Sequence, residues 1–291
     1  MGNNDRASVH NNQASVRQRR VSAELRALRQ AKGLTCQQVA DALDWSVSKV
    51  SRMETGVRGL FPDDVAAMLG YLEAPAKLRD ELLTLVRDGE KPNWIQVGAG
   101  LPKHWKNLIR MESDATAIYN YEPLVVPGLL QTGDYARVVI GIGNQELSES
   151  VVDQLVRTRM GRQALLSKHD APVLNVMMDE MVLRRPVGDA GCMHGQLQHL
   201  LNMADRPRVE IRVVPFAVGA NPGLEGPMVI MEFDAQPTLV HVEIRSASGF
   251  LEEPAELSRA KVAWRTLRSM ALSPEDSVRF IAEVAGETTN R

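Results

Sequence analysis

The chain has 291 residues, 44% of them hydrophobic and 24% charged, with a formal net charge of −2. That length suits about two domains with ordinary cores, and the near-neutral balance excludes a protein that is basic throughout and coats nucleic acid by charge alone. No stretch approaches the roughly 18 apolar residues that a membrane span requires, and the opening MGNNDRASVHNNQ lacks a signal-peptide core. The two cysteines, Cys36 and Cys192, lie far apart and outside any CxxC pair, which argues for a reduced compartment without a disulfide framework.

Residues 1–16 are polar and Asn-rich and are expected to form a disordered arm. The basic run Arg17-Gln18-Arg19-Arg20 reads equally as a backbone-touching arm or as the fringe of the first helix. Val21 to Lys32 has helical periodicity, with Leu25, Leu28 and Ala31 on one side and Gly33 as its C-cap.

Residues 33–56, GLTCQQVADALDWSVSKVSRMETG, then hold two short helical patterns with a polar kink between them. Thr35 is an N-cap and Gln38 stands at capping-box spacing. Val39, Ala40 and Leu43 share one face of that helix. Asp44-Trp45 breaks the pattern and Ser46 caps a second helix, with Val47, Val50 and Met53 spaced by three on its inner side. Its polar positions are Ser48, Lys49, Ser51 and Arg52, all donors or cations, with no carboxylate before Glu54. A short donor-bearing helix braced by another suits the major groove of DNA. Residues 17–58 carry nine Lys/Arg against four Asp/Glu, a local surplus of five that fits phosphate attraction.

This stretch resembles the helix-turn-helix of the phage Cro/repressor family, the xenobiotic-response-element (XRE) regulators. The resemblance rests on Arg29, Gly33-Leu34-Thr35, Val39-Ala40, Leu43, Ser46, Ser48, Val50-Ser51-Arg52, Glu54 and Gly56. It implies DNA contacts from Cys36, Gln37, Ser46, Val47, Ser48, Lys49, Ser51 and Arg52. Within that set Val47, Ser48 and Arg52 would face base edges, while Ser46 and Lys49 lie nearer the backbone. It also implies an internal ion pair between Arg29 and Glu54. Two positions depart from the family: Cys36 stands where a phosphate-touching Gln is usual, and Asp44 where Gly is usual. Cys36 reads either as a redox gate on phosphate binding or, the favoured reading, as a small replacement for Gln.

Gly56-Val57-Arg58-Gly59 reads as a turn. Pro62 opens a helix with Asp63 and Asp64 in its first turn, and Pro75 opens another with Leu78, Leu82, Leu85 and Val86 apolar. The expectation is an all-α, five-helix domain over 17–88, a Gly/Pro-rich linker over 89–101, an α+β domain over 102–285 and a tail from 286 to 291. In the α+β part, 104–115 and 149–168 read as helices and Ile118–Leu124 as extended. Four short strands are expected at 173–178, 209–214, 228–233 and 239–244, with helices at 193–204, 254–270 and 274–285.

The second half resembles one actinobacterial regulator family, in which the helix-turn-helix is followed by a C-terminal domain of unassigned function. The carrying stretches are 121–137, 183–188, 213–233 and 250–257. The resemblance implies a small companion protein as a partner. Chemistry is sparse in this half. The loop GANPGLEGP lacks phosphate-cradle spacing and reads as structural. Cys192, His194 and His199 have no metal-site spacing, since residues five apart do not share a helix face. Arg184-Arg185-Pro186, with Asp179-Glu180 before it, is a solvated turn or the rim of a ligand cleft; the turn is favoured. Arg137 and Arg157 read as surface charge.

These readings lead to a cytoplasmic, nucleoid-associated DNA-binding transcription regulator and homodimer, not an enzyme, with no catalytic residue, no metal and no cofactor. Its C-terminal domain would sense a small-molecule effector or dock a protein. The alternatives are an antitoxin-like adaptor for the small companion, and a DNA-tethered enzyme with its site in 102–285.

Overall fold

A computed structural model describes residues 15–56, 60–87, 94–97, 101–143, 146–234, 236–244 and 247–289. The chain divides into two compact units, Met1–Trp94 and Ile95–Arg291. Most of the expected arm, the turn at 57–59 and the linker residues 88–93 and 98–100 lie outside the described residues.

The first unit is five helices: α1 (Val16–Ala31), α2 (Cys36–Leu43), α3 (Val47–Thr55), α4 (Pro62–Tyr71) and α5 (Ala76–Arg87). Helix α1 begins inside the expected arm. The Ser15 hydroxyl accepts from Gln18 N and the Gln18 side chain accepts from Ser15 N, a closed capping box that starts the helix early. The Arg17–Arg20 run therefore lies in α1. Arg19 and Arg20 are buried, and Arg20 pairs with Glu81 of α5 at 2.5 Å. The inner face of α1 is Val16, Val21 and Leu25; Leu28 is half-buried and Ala31 exposed, against the expected stripe. Val39, Ala40, Val50, Val65, Met68, Leu69, Leu72 and Leu82 pack in the core of this unit.

The second unit is a mixed sheet with helices on both faces. Its strands are β1 (Trp94–Val97), β2 (Ala117–Glu122), β3 (Val173–Asp179), β4 (Val209–Val214), β5 (Met228–Glu232), β6 (Leu239–Ile244) and β7 (Ala247–Leu251), in the order β1-β7-β6-β5-β2-β3-β4. The helices are α6 (Leu101–Asp114), α7 (Gly133–Gly143), α8 (Glu149–Arg162), α9 (Glu180–Arg184), α10 (Ala190–Ala204), α11 (Pro254–Met270) and α12 (Pro274–Thr289). Strands β2, β3 and β4 run parallel, joined through helices, while β5, β6 and β7 are antiparallel. The α+β class is as expected, with three corrections. Residues 94–97 form an edge strand rather than linker. Strand β7 was not expected, because Ser248 and Gly249 hide it. The expected tail continues α12 to Thr289, and Glu287 there pairs with Arg184 at 3.0 Å.

Alternation along β2 separates the two faces of the sheet. Tyr119 and Tyr121 point to the side where Met177, Ile230, Val240, Trp264 and Leu267 pack together. Ile118, Asn120 and Glu122 point to the other. Asn120 is in register with Val229 of β5, and Val229 with His241 of β6, so these three form one row across that second face.

Candidate nucleic-acid interface

The helix pair α2–α3 is held by caps that the local sequence dictates. Thr35 Oγ1 accepts from Gln38 N at 3.2 Å, and Gln38 Oε1 accepts from Thr35 N at 2.8 Å. Ser46 Oγ accepts from Lys49 N at 3.2 Å and opens α3. Between them Asp44 sits at φ 55 and ψ 45, the left-handed C-cap position of α2. That is where glycine has no steric penalty, so Asp44 occupies a place made for a residue without Cβ. Gly56 closes α3 in the same conformation.

Helix α3 buries Val50, Met53 and Glu54 and exposes Ser46, Val47, Ser48, Ser51 and Arg52. Val47 is 38% exposed and so leaves the inner row expected for it. It stands at the first position of α3, ahead of the turn that packs on α1 and α2. The exposed face of α3 thus offers the hydroxyls of Ser48 and Ser51, one small apolar group and one guanidinium, with the exposed Thr55 hydroxyl turned back onto Ser51 O. Arg52 Nε donates to Ser48 O at 3.1 Å, which lays the side chain along the helix. Gln37 on α2 is exposed, and its amide donates to Asp41 Oδ1 at 2.6 Å.

Behind that face sits the brace. Arg29 Nε donates to Glu54 Oε1 at 2.6 Å, Nη2 to Oε2 at 2.8 Å and Nη1 to Leu34 O at 2.6 Å. The two side chains are only 12% and 4% exposed. The Glu54 carboxylate, through its hydrogen bonds, holds the Arg29 guanidinium above its ordinary pKa despite burial. Both oxygens of Glu54 and three donors of Arg29 are satisfied, which ties α1 to the end of α3. The half-buried Cys36 lies against this pair, its Sγ 3.9 Å from Glu54 Oε2. It extends the brace inward, and the redox reading drawn from its family position gains no support from that placement.

Lys49 is also engaged within the unit. Its Nζ is 2.6 Å from Asp64 Oδ1 and 3.9 Å from the centre of the Trp45 ring. A phosphate contact by Lys49 therefore competes with Asp64. Arg20, Arg29, Lys32 and Lys49 each pair with an acid of the unit, so much of the apparent basic surplus is internally balanced. The exposed face of α3 is thus a surface of hydrogen-bond donors more than a basic field.

In the C-terminal unit, Arg184 pairs with Glu180 and Glu287 and, with Pro186, lines a small cleft of about 240 Å³. His194 Nδ1 approaches Ala285 O at 3.3 Å, and burial pushes the His199 imidazole below its usual pKa. Among the described residues no three His, Cys, Asp or Glu side chains are placed to share a metal ion. In the GANPGLEGP loop, a Cβ on Gly223 would stand 2.0 Å from Tyr121 Oη, so the glycine is there for packing. Arg137 pairs with Asp153 at 2.5 Å. Sequence reasoning missed a set of polar residues on the second sheet face: Asn120, Glu122, His241 and Glu243. The signal was present, since Asn120 and Glu122, like His241 and Glu243, are two apart on strands and hence on one face.

The model of a domain-of-unknown-function family, DUF5753, matches residues 105–283, more than half of the chain. The chain belongs to the DUF5753 family. In this member the family domain follows a helix-turn-helix domain, whose model matches residues 20–82 and so spans α1 to most of α5. The XRE subclass is finer than that match. Among solved structures, TrmBL2, an archaeal chromatin protein with a novel mode of DNA binding, is 12% identical, covers 82% of this chain and 88% of its own, and superposes with a TM-score of 0.32. A likeness at that level carries no argument about this DUF5753 protein. No curated protein matches it. Among the described residues no helix is long and apolar enough to cross a membrane.

Proposed function

We propose that this protein is a sequence-specific DNA-binding transcription regulator that reads duplex DNA with α3 and acts by binding rather than by turnover. One observation carries the reading: the exposed face of α3 presents Val47, Ser48, Ser51 and Arg52, with its one carboxylate, Glu54, turned inward onto Arg29. Arg52 suits a bidentate contact to guanine, Ser48 either a base or a phosphate, and Val47 a thymine methyl. Lys49 serves the backbone by exchanging Asp64 for phosphate. A single α3 covers few bases, so the reading includes a homodimer on half-sites about one helical turn, roughly 34 Å, apart. The C-terminal unit is the sensing or docking half, and its cavities favour a small effector.

The test is selection of duplexes by the full chain from a random pool, followed by measurement with variants. Arg52→Ala is expected to lose discrimination at one base step by about tenfold, in line with roughly 1–3 kcal/mol per bidentate contact. Lys49→Ala is expected to weaken all sequences alike and to lower the salt slope by about one phosphate. Enrichment of no sequence, or enrichment untouched by Arg52→Ala, overturns the assignment of α3 as the reader.

A further inference from the structure

The second face of the sheet closes a cavity of about 330 Å³ with one polar and one apolar wall. Strand β2 contributes Asn120 and Glu122, β6 contributes His241 and Glu243, α8 contributes Arg159 and Arg162, and α6 contributes Glu112. Each of these groups has a definite state. Arg162 is spent on Glu112, with Nε–Oε2 at 3.0 Å and Nη2–Oε1 at 2.7 Å. Arg159 Nη1 donates to Gln131 Oε1 at 2.8 Å. His241 Nε2 lies 3.0 Å from Ser248 Oγ. The side-chain oxygen of Asn120 has no partner although the residue is only 7% exposed. A buried amide oxygen without a partner costs about 1–3 kcal/mol, and turning the amide about its last torsion offers the cavity either its acceptor or its donors.

The charges do not balance. Three carboxylates, Glu112, Glu122 and Glu243, face two guanidinium groups, Arg159 and Arg162, which leaves one negative charge over. Among the described residues the side-chain carboxylates of Glu122 and Glu243 make no hydrogen bond or ion pair, while their backbones are held in the sheet. We propose that this cavity is the effector site of the C-terminal domain and takes a small organic cation. Its class is a primary amine, with the ammonium between Glu122 and Glu243 and within reach of Asn120, and the apolar body against Val126, Val139 and Met228.

Burial and the Glu243 carboxylate push Glu122 up to about 8, against the pull of Arg159. In the empty domain a proton therefore supplies the missing positive charge at neutral pH. An ammonium group supplies it instead and releases that proton to solvent. Burial also brings Arg159 down to about 10, which still leaves it charged at neutral pH. No three His, Cys, Asp or Glu side chains among the described residues are placed for a metal ion, so a polyatomic cation with several N–H donors fits better than a bare one. The volume lies at the lower end of small-ligand sites, and its apolar wall excludes a ligand that is all charge.

The inference rests on the reading of the C-terminal unit as a sensor, and the two can fail separately. The full chain is titrated calorimetrically at pH 7 and constant ionic strength with n-hexylamine and 2-phenylethylamine. 1-Hexanol and hexanoate serve as neutral and anionic counterparts. The amines are expected to bind with dissociation constants of about 1 mM or tighter. Repeating the titration in buffers of different ionisation heat is expected to reveal proton release. Glu243→Gln is expected to weaken the amines by about tenfold or more, the scale of one lost charge contact. Glu122→Gln is expected to weaken them similarly and to abolish the proton release. That variant folds, because the empty domain already holds residue 122 neutral. Heats from neither amine, or hexanoate binding as tightly, overturn the site. Amine binding that leaves the affinity for the selected duplex unchanged supports the site and removes only the sensing role.

Discussion

Arg29 reaches from α1 to the end of α3 and fills both oxygens of Glu54, while Arg52 lies on the outer face of the same helix. The two arginines should therefore fail differently. Arg29→Ala leaves a buried carboxylate without its cation, a loss of roughly 3–5 kcal/mol. It is expected to lower the melting temperature of the helix-turn-helix domain. Arg52→Ala is expected to melt like the parent and to lose only sequence discrimination. Thermal melting of each variant beside its duplex binding separates the roles; the reverse pattern would mean the two are exchanged. Asp44 is the other informative residue. At φ 55 it bears a Cβ in the left-handed region that favours glycine, and Asp44→Gly is expected to raise stability by about 0.5–1 kcal/mol. Denaturant unfolding followed by far-ultraviolet dichroism reads that shift; a fall in midpoint would count against strain at this cap.

The glycine-rich loop between β4 and β5 is an element defined by one close approach. Gly223 N donates to Asn221 Oδ1 at 2.8 Å, which curls the loop, and its α-carbon lies over the Tyr121 ring. A Cβ there would overlap Oη and Cζ at 2.0 and 2.3 Å. Tyr121 is 1% exposed and packed in a core cluster with Met177, Ile230 and Trp264, so it has no room to retreat. Gly223→Ala is expected to destabilise the C-terminal unit by about 1–3 kcal/mol, the usual range for overpacking, while leaving DNA affinity intact. Loss of DNA binding with unchanged C-terminal melting would mean that the loop serves the interface and not the core.

The whole molecule is two units with separate cores, so a fragment of residues 15–90 is expected to be helical on its own and to bind duplex DNA weakly. An unfolded fragment by circular dichroism would place the boundary elsewhere. The two units are also expected to differ in their response to pH. Glu122 in the fold holds its proton up to about 8, whereas an unfolded carboxyl near 4.5 has already lost it. Its contribution is full below about pH 4.5 and is lost as pH rises through about 8. The C-terminal transition is therefore expected to fall by several degrees, roughly, between pH 6 and pH 9, with the fall absent in Glu122→Gln and the helical transition unmoved. Scanning calorimetry across that range decides it. A C-terminal midpoint that rises with pH would contradict a buried, proton-holding Glu122.

The helix-turn-helix half was legible because its determinants are local. Thr35 and Gln38, Ser46 and Gly56 set helix ends within a few residues of themselves, and one run of periodicity names the buried face. Where local signals ran out, the reading slipped: β1 hid in a Gly/Pro-rich stretch, β7 behind Ser248 and Gly249, and Val47 in a row of three apolar residues that packs only its last two. The C-terminal cavity could not be read that way. Asn120 and Glu122 on β2, Arg159 on α8, and His241 and Glu243 on β6 line one cavity; two-residue spacing puts each strand pair on one face, but no spacing links one element to the next. What brings them together is strand register, Asn120 against Val229 and Val229 against His241, with α8 laid over that face. Composition and periodicity determined two domains, their classes and the helix pair α2–α3. Only the tertiary structure decided which charges meet in the cavity, because pairing across a sheet reaches partners as distant as Asn120 and Val229, while a helix cap depends on its next three.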